Sequence, residues 1–101
     1  MAQDIVKKAA RKKVLEEEKT AYMRKRKEVP CMHCGGTFPH YCMDFHHIDE
    51  STKHKTIGRK SFYRMSRHSY QVIDAEIEKC LILCACCHRK LHWLDKNPEE
   101  Q

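Results

Sequence analysis

Cys84-Ala85-Cys86-Cys87-His88-Arg89-Lys90-Leu91-His92 is the stretch on which the reading of this chain turns. On a helix each residue advances by about 100°, so Cys84 and Cys87 point one way while His88 and His92 share a face turned from them by roughly 90°. Four residues apart, the two imidazoles stand close enough to hold one ion. One helix can therefore serve two metals. Cys31-Met32-His33-Cys34 repeats the Cys-x-x-Cys spacing, and Gly35-Gly36 behind it lets the backbone turn tightly under the sulfurs. The quartet Cys31, Cys34, Cys84 and Cys87 fills all four positions of a tetrahedral Zn²⁺ site and leaves none for chemistry, so the zinc predicted there is structural. His33, Cys42, Cys80 and Cys86 stand close enough in sequence to take one of the four positions, but none completes a second pair of this spacing, and the three extra cysteines read as core or surface thiols.

The partner for the histidine face is sought upstream, in Asp44-Phe45-His46-His47-Ile48-Asp49. A short strand is expected over Tyr41 to His47. Adjacent histidines on a strand point to opposite faces, so both reach one site only if the strand ends or bends there. That placement suits a division of labour in which one imidazole binds a cation and its uncoordinated neighbour accepts a proton from water. Phe45 reads as core. Asp44 reads either as a carboxylate that orients an imidazole from behind or as a strand-edge charge.

Around these motifs the organisation is simple. Asp4 to about Lys27 contains no Gly or Pro and is rich in Ala, Glu, Lys and Arg, which predicts a helical arm with a thin apolar stripe. Pro30 closes it. Ile48 to Arg67 has no steady periodicity and is expected as a long basic loop. Ser69 is placed to cap a helix with Val72, Ile73, Ala75 and Ile77 on its apolar face, Leu81 to Leu83 reads as a brief buried strand, and the last helix spans roughly Cys84 to Asp95. The division expected is a basic arm over 1–29, a compact domain over 30–96 and a frayed tail over 97–101.

A chain of 101 residues with seven cysteines and eight histidines needs staples, because so small a domain buries little apolar surface. The odd cysteine count and the paired spacing favour metal over disulfides. Met1 to Ala10 carries Asp4, Lys7 and Lys8 where a signal peptide needs an apolar core, so a cytoplasmic location is expected, with no membrane partner. The formal net charge is +6, from 20 Lys and Arg against 14 Asp and Glu, which points to a polyanion such as DNA. Lys53, Lys55, Arg59, Lys60, Arg64 and Arg67 supply six positive charges between Ser51 and Tyr70 with no acidic residue among them, and are the expected backbone-phosphate contacts.

Taken together, Cys31-x-x-Cys34, Asp44-Phe-His-His47-Ile-Asp49, Cys84-x-x-Cys87-His88 and His92 resemble the HNH endonuclease family, in its zinc-containing phage and bacterial branch. The resemblance covers Cys31 to about Trp93. It implies an α+β fold, the small ββα-metal module of a β-hairpin followed by a helix, with the cysteine quartet on structural zinc. It implies further that His47 activates water and that His46, His88 and His92 hold the catalytic cation, Mg²⁺ or another divalent ion such as Mn²⁺, Ni²⁺ or Zn²⁺. The reaction implied is hydrolysis of a phosphodiester bond in DNA. The middle Asn of the family's motif is absent, Lys79 or Cys80 standing in that stretch. Two other expectations compete: a noncatalytic zinc module that binds nucleic acid, and an accessory subunit of a larger phage or bacterial DNA-processing or packaging protein.

Overall fold

The computed structural model describes residues 2–57 and 61–100. Its first element, α1 (Ala2–Arg26), is the helix that the Ala, Glu, Lys and Arg content favours. The thin stripe has a direct consequence: residues 9–15 are exposed, and among the described side chains the helix is buried against the rest of the chain in its C-terminal half, where Met23 is fully buried. Just beyond the helix, Lys27 is buried with its ammonium 5.1 Å from the Phe45 ring centroid and 4.7 Å from that of Tyr63. Two aromatic faces thus take the place of water around that charge. Tyr22 and Arg26 both hydrogen-bond Asp74, fastening the end of α1 to a later helix.

The chain then forms β1 (Met43–His47), α2 (Tyr70–Glu78), β2 (Cys80–Cys84) and α3 (Ala85–Lys96). β1 pairs antiparallel with β2, in a register that sets Met43 against Cys84, Phe45 against Ile82 and His47 against Cys80. The result is a small α+β fold, a two-stranded sheet with helices packed on it. β1 begins later than Tyr41 because His40–Cys42 closes a 3-10 turn first. Ser69 caps α2, its hydroxyl accepting from the Val72 N–H. The buried face of α2 is narrower than its apolar residues suggest: Ile73 and Ile77 go inward together with Glu76, while Val72 and Ala75 face out.

Residues 48–57 and 61–67 are more ordered than an aperiodic basic loop. Asp49 and Ser61 cap 3-10 turns at Glu50–Thr52 and Phe62–Arg67, and Ile57, Met65 and Ser66 are buried. Single apolar residues on short turns leave no 2.0 or 3.6 period, which is why the segment reads as structureless. They join Met43, Ile73, Leu83 and Met23 in one core. Each such side chain contributes about 1.5–3 kcal/mol by leaving water. At the C-terminus, where a frayed tail is expected, Pro98–Glu100 forms a further 3-10 turn and Glu100 accepts from the Trp93 indole N–H. Among the described residues no helix is long and apolar enough to cross a membrane.

Candidate metal centres

Strand β2 runs directly into α3, and that junction places the first cluster. Cys84 ends the strand and caps the helix, its sulfur accepting from the Cys87 N–H at 3.4 Å. The Cys31–Cys34 knuckle folds against it. The Cys31 N–H bonds the Gly36 carbonyl at 2.8 Å, the Gly35 N–H bonds the Cys31 carbonyl at 2.8 Å, and Gly35 takes φ 76°, a conformation that suits glycine. The Met32 N–H then reaches the Ile82 carbonyl, docking the knuckle on β2.

Ligand atoms of Cys31, Cys34, Cys84 and Cys87 lie within 4.8 Å of one another, and three of the four residues are buried. All seven cysteines are free thiols. Burial alone pushes the Cys31 thiol up, but backbone N–H groups of Cys34, Cys84 and His33 outweigh it and bring the group to about 6. Cys87 goes the other way, raised by burial and by its contacts with the sulfurs of Cys84, Cys34 and Cys31. Four converging sulfurs cannot all ionise by themselves; a divalent cation such as zinc accepts all four and removes the conflict. The donor set fits that ion. Cys80 is separate, buried against the Glu76 carbonyl with its thiol pushed up to about 12 by burial and then by the Glu76 charge.

One turn along α3 the second cluster opens. His46, on the face of β1 that α3 covers, meets His88 and His92, with ring centroids 5.0 and 5.2 Å away and 4.7 Å between the two helical rings. One nitrogen from each of the three lies within 4.8 Å of the others. Asp44, two residues before His46 and so on the same face of the strand, sits with a carboxylate oxygen 3.0 Å from His88 Nδ1. It accepts that N–H and leaves Nε2, 3.0 Å from His92 Nε2, to point into the cluster. Burial and then the neighbouring imidazoles of His88 and His92 lower the pKa of His46, so it offers a neutral ring with a lone pair.

His47 does not join them. Strand alternation turns it to the opposite, buried face, where its Nε2 lies 2.7 Å from Glu76 Oε1 and its ring packs near Phe62. The same oxygen accepts from the His54 N–H, and Oε2 accepts from Lys79 Nζ. Lys79 also donates to the Thr52 carbonyl. Glu76 therefore ties β1, α2 and the 48–57 segment together in one network. Its pKa is lowered, because the His54 N–H, Lys79 and His47 together outweigh the upward push of burial.

Of the basic residues singled out above, Lys55 and Arg67 are exposed and Lys53 and Arg64 half-buried, while Arg59 and Lys60 lie outside the described residues. Arg67 lines a groove with Arg11, Lys12 and Lys19 of α1. A stripe missed in the sequence lies beside His92: Arg89, Trp93 and Lys96 flank it on α3, with Trp93 57% exposed. Their i, i+4, i+7 spacing was the available signal. No protein-family model, curated protein or solved structure matches the chain.

Proposed function

We propose that this chain is a metal-dependent endonuclease of the HNH type that hydrolyses phosphodiester bonds in DNA. The observation that carries the reading is the convergence of His46, His88 and His92 from strand and helix onto an open face, on a helix whose start is built into a four-cysteine cage. In this reading the three imidazoles hold a divalent cation, Mg²⁺, Mn²⁺, Ni²⁺ or Zn²⁺, and Asp44 fixes the tautomer of His88. Such a cation supplies Lewis-acid stabilisation of the charge that builds on the phosphate and the leaving oxygen.

His47 is the base. Its Nε2–H is held by Glu76, which leaves Nδ1 to take the proton of the attacking water. Among the described residues β1 is paired along one edge only, and in this reading the phosphodiester lies across the other edge at 46–47, against His46, with His47 behind it on the buried face. Arg67, Lys55, Arg89 and Lys96 neutralise flanking phosphates, which positions the duplex without reading its sequence.

One observation favours a second reading, a noncatalytic zinc module: the His47 side chain is only 4% exposed, with its Nε2 held by a buried carboxylate. Nicking of supercoiled plasmid by zinc-loaded protein, with Mg²⁺, Mn²⁺, Ni²⁺ or chelator, separates the two. Metal-dependent nicking should fall by about 100-fold or more in a folded His47→Ala protein and be lost in His92→Ala. Parental rates in His47→Ala would remove His47 as the base, and no nicking with any of these metals would leave the binding module or the accessory subunit.

A further inference from the structure

The N-terminal half of α1 carries a pattern that neither metal cluster uses. Residues 11–18 read Arg-Lys-Lys-Val-Leu-Glu-Glu-Glu, a basic triplet and an acidic triplet mirrored about Val14 and Leu15. The helix is one continuous element from Ala2 to Arg26, and residues 9–15 have no cover, with Val14 52% and Leu15 53% exposed. An apolar notch lined by Ala10, Arg11, Val14 and Leu15 opens on this outer side.

At about 100° per residue, the direction opposite the buried Met23 holds Ala10 and Val14. On one flank of that line stand Lys13 and Glu17, and on the other Arg11 and Glu18. Lys12 and Glu16 lie about 160° from that line, Glu16 being half-buried, and line the groove towards Arg67, whose near rim Arg11 and Leu15 also form.

We propose that this face pairs two copies of the chain, α1 against α1 in antiparallel orientation about a two-fold axis at Val14–Leu15. A two-fold contact requires a surface complementary to itself. With the axis there, Lys13 of one copy meets Glu17 of the other and Arg11 meets Glu18, and symmetry makes each pair twice. The midpoint of Arg11 and Glu18 falls between Val14 and Leu15 and that of Lys13 and Glu17 falls on Leu15, so the two flanks agree on the axis to within half a residue, and Val14 packs at the centre. A nucleic acid on the same face would meet Glu17 and Glu18, which a polyanion avoids; a second copy turns those charges into partners. The apolar contact is short and the ion pairs are exposed, so the association is weak and falls with salt.

The test is the mass of the intact, zinc-loaded chain by sedimentation or light scattering over a concentration series, at low and high salt. It needs no cleavage, so it stands or fails apart from the nuclease reading. Two variants carry it: Arg11→Glu with Lys13→Glu, and Glu17→Lys with Glu18→Lys. Each alone opposes like charges and should raise the dimer dissociation constant at least tenfold. Mixed one to one they should restore the dimer as a heterodimer, with unchanged far-ultraviolet circular dichroism throughout. A parent that stays monomeric at low salt and high concentration overturns the proposal, as does a mixture that fails to pair. It falls too if the variants change only DNA affinity, up in the lysine variant and down in the glutamate variant, which would make the arm a nucleic-acid surface.

Discussion

The four-cysteine cage and the three-histidine cluster stand on the same helix, yet they are wired in opposite ways. Around the sulfurs, backbone N–H groups of Cys84 and Cys87 point at thiols, glycine turns close the knuckle, and three of four ligands are buried. Around the imidazoles, among the described residues, there is one supporting contact, from Asp44, whose side chain is 43% exposed. The His47–Glu76 network resembles the cage in this respect, since both carboxylate oxygens are engaged and the residue is 2% exposed. Closed clusters of this kind hold elements together, whereas an open one leaves room for something to arrive. The difference separates groups that maintain the fold from an open cluster, and in the proposed function His47 spans both, its Nε2 held by Glu76 and its Nδ1 left over.

The largest effect expected from that division is loss of the cage. Cys31→Ser removes a sulfur that accepts the Cys84 N–H and joins the knuckle to β2 and α3. If zinc sits there, its binding energy is folding energy, about 10 kcal/mol or more in small zinc modules. The variant should lose one equivalent of zinc and its cooperative thermal transition, as should the parent treated with a strong chelator. His92→Ala should keep both. Equal thermal transitions in the two variants would erase the distinction between closed and open clusters.

Glu76 gives the intermediate case. Glu76→Gln keeps the shape but sets an amide N–H against groups that already donate, and should cost about 3 kcal/mol in urea unfolding, as expected for disrupting a buried charged pair. Because the folded carboxyl has its pKa lowered below the ordinary 4.5, its contribution is present above that value and disappears as pH falls through the folded one. The stability gap between parent and Glu76→Gln should therefore be constant near neutrality and close on acidification. A gap independent of pH down to unfolding would mean that Glu76 acts through packing alone.

The cysteine cluster and two of the three histidines were legible from spacing, because Cys-x-x-Cys and an i, i+4 histidine pair are local patterns with fixed geometric meaning, whereas His46 was singled out by the family resemblance. The helices were legible for a similar reason: Ser69 announces α2, and the composition of residues 4–27 announces α1. What escaped depends on distant partners. Glu76 lies in Asp74-Ala75-Glu76-Ile77-Glu78, where a carboxylate normally faces water, and the arrival of His47 and His54 from two other segments, beside Lys79 at the end of the same helix, explains its burial. Likewise the pair His46-His47 could be read as one site or two until strand register was known. β1 stays regular through His47, so the two rings part to opposite faces.

The smallest effect is the one that probes the open cluster most directly. Asp44 accepts from His88 Nδ1 at 3.0 Å, and a carboxylate there both orients the ring and increases the basicity of Nε2. Asp44→Asn retains an accepting oxygen and loses the charge, so affinity for a second cation should drop by roughly tenfold, and in Asp44→Ala nearer a hundredfold. Competition of Ni²⁺ or Mn²⁺ with a coloured chelator, on protein already loaded with one zinc, reads that loss. Since Asp44 is only half-buried, thermal unfolding of the zinc-loaded chain should barely move. A drop in stability comparable to that of Glu76→Gln, with no change in second-cation affinity, would mean that Asp44 and His88 form a structural pair and that the histidine face belongs with the closed clusters.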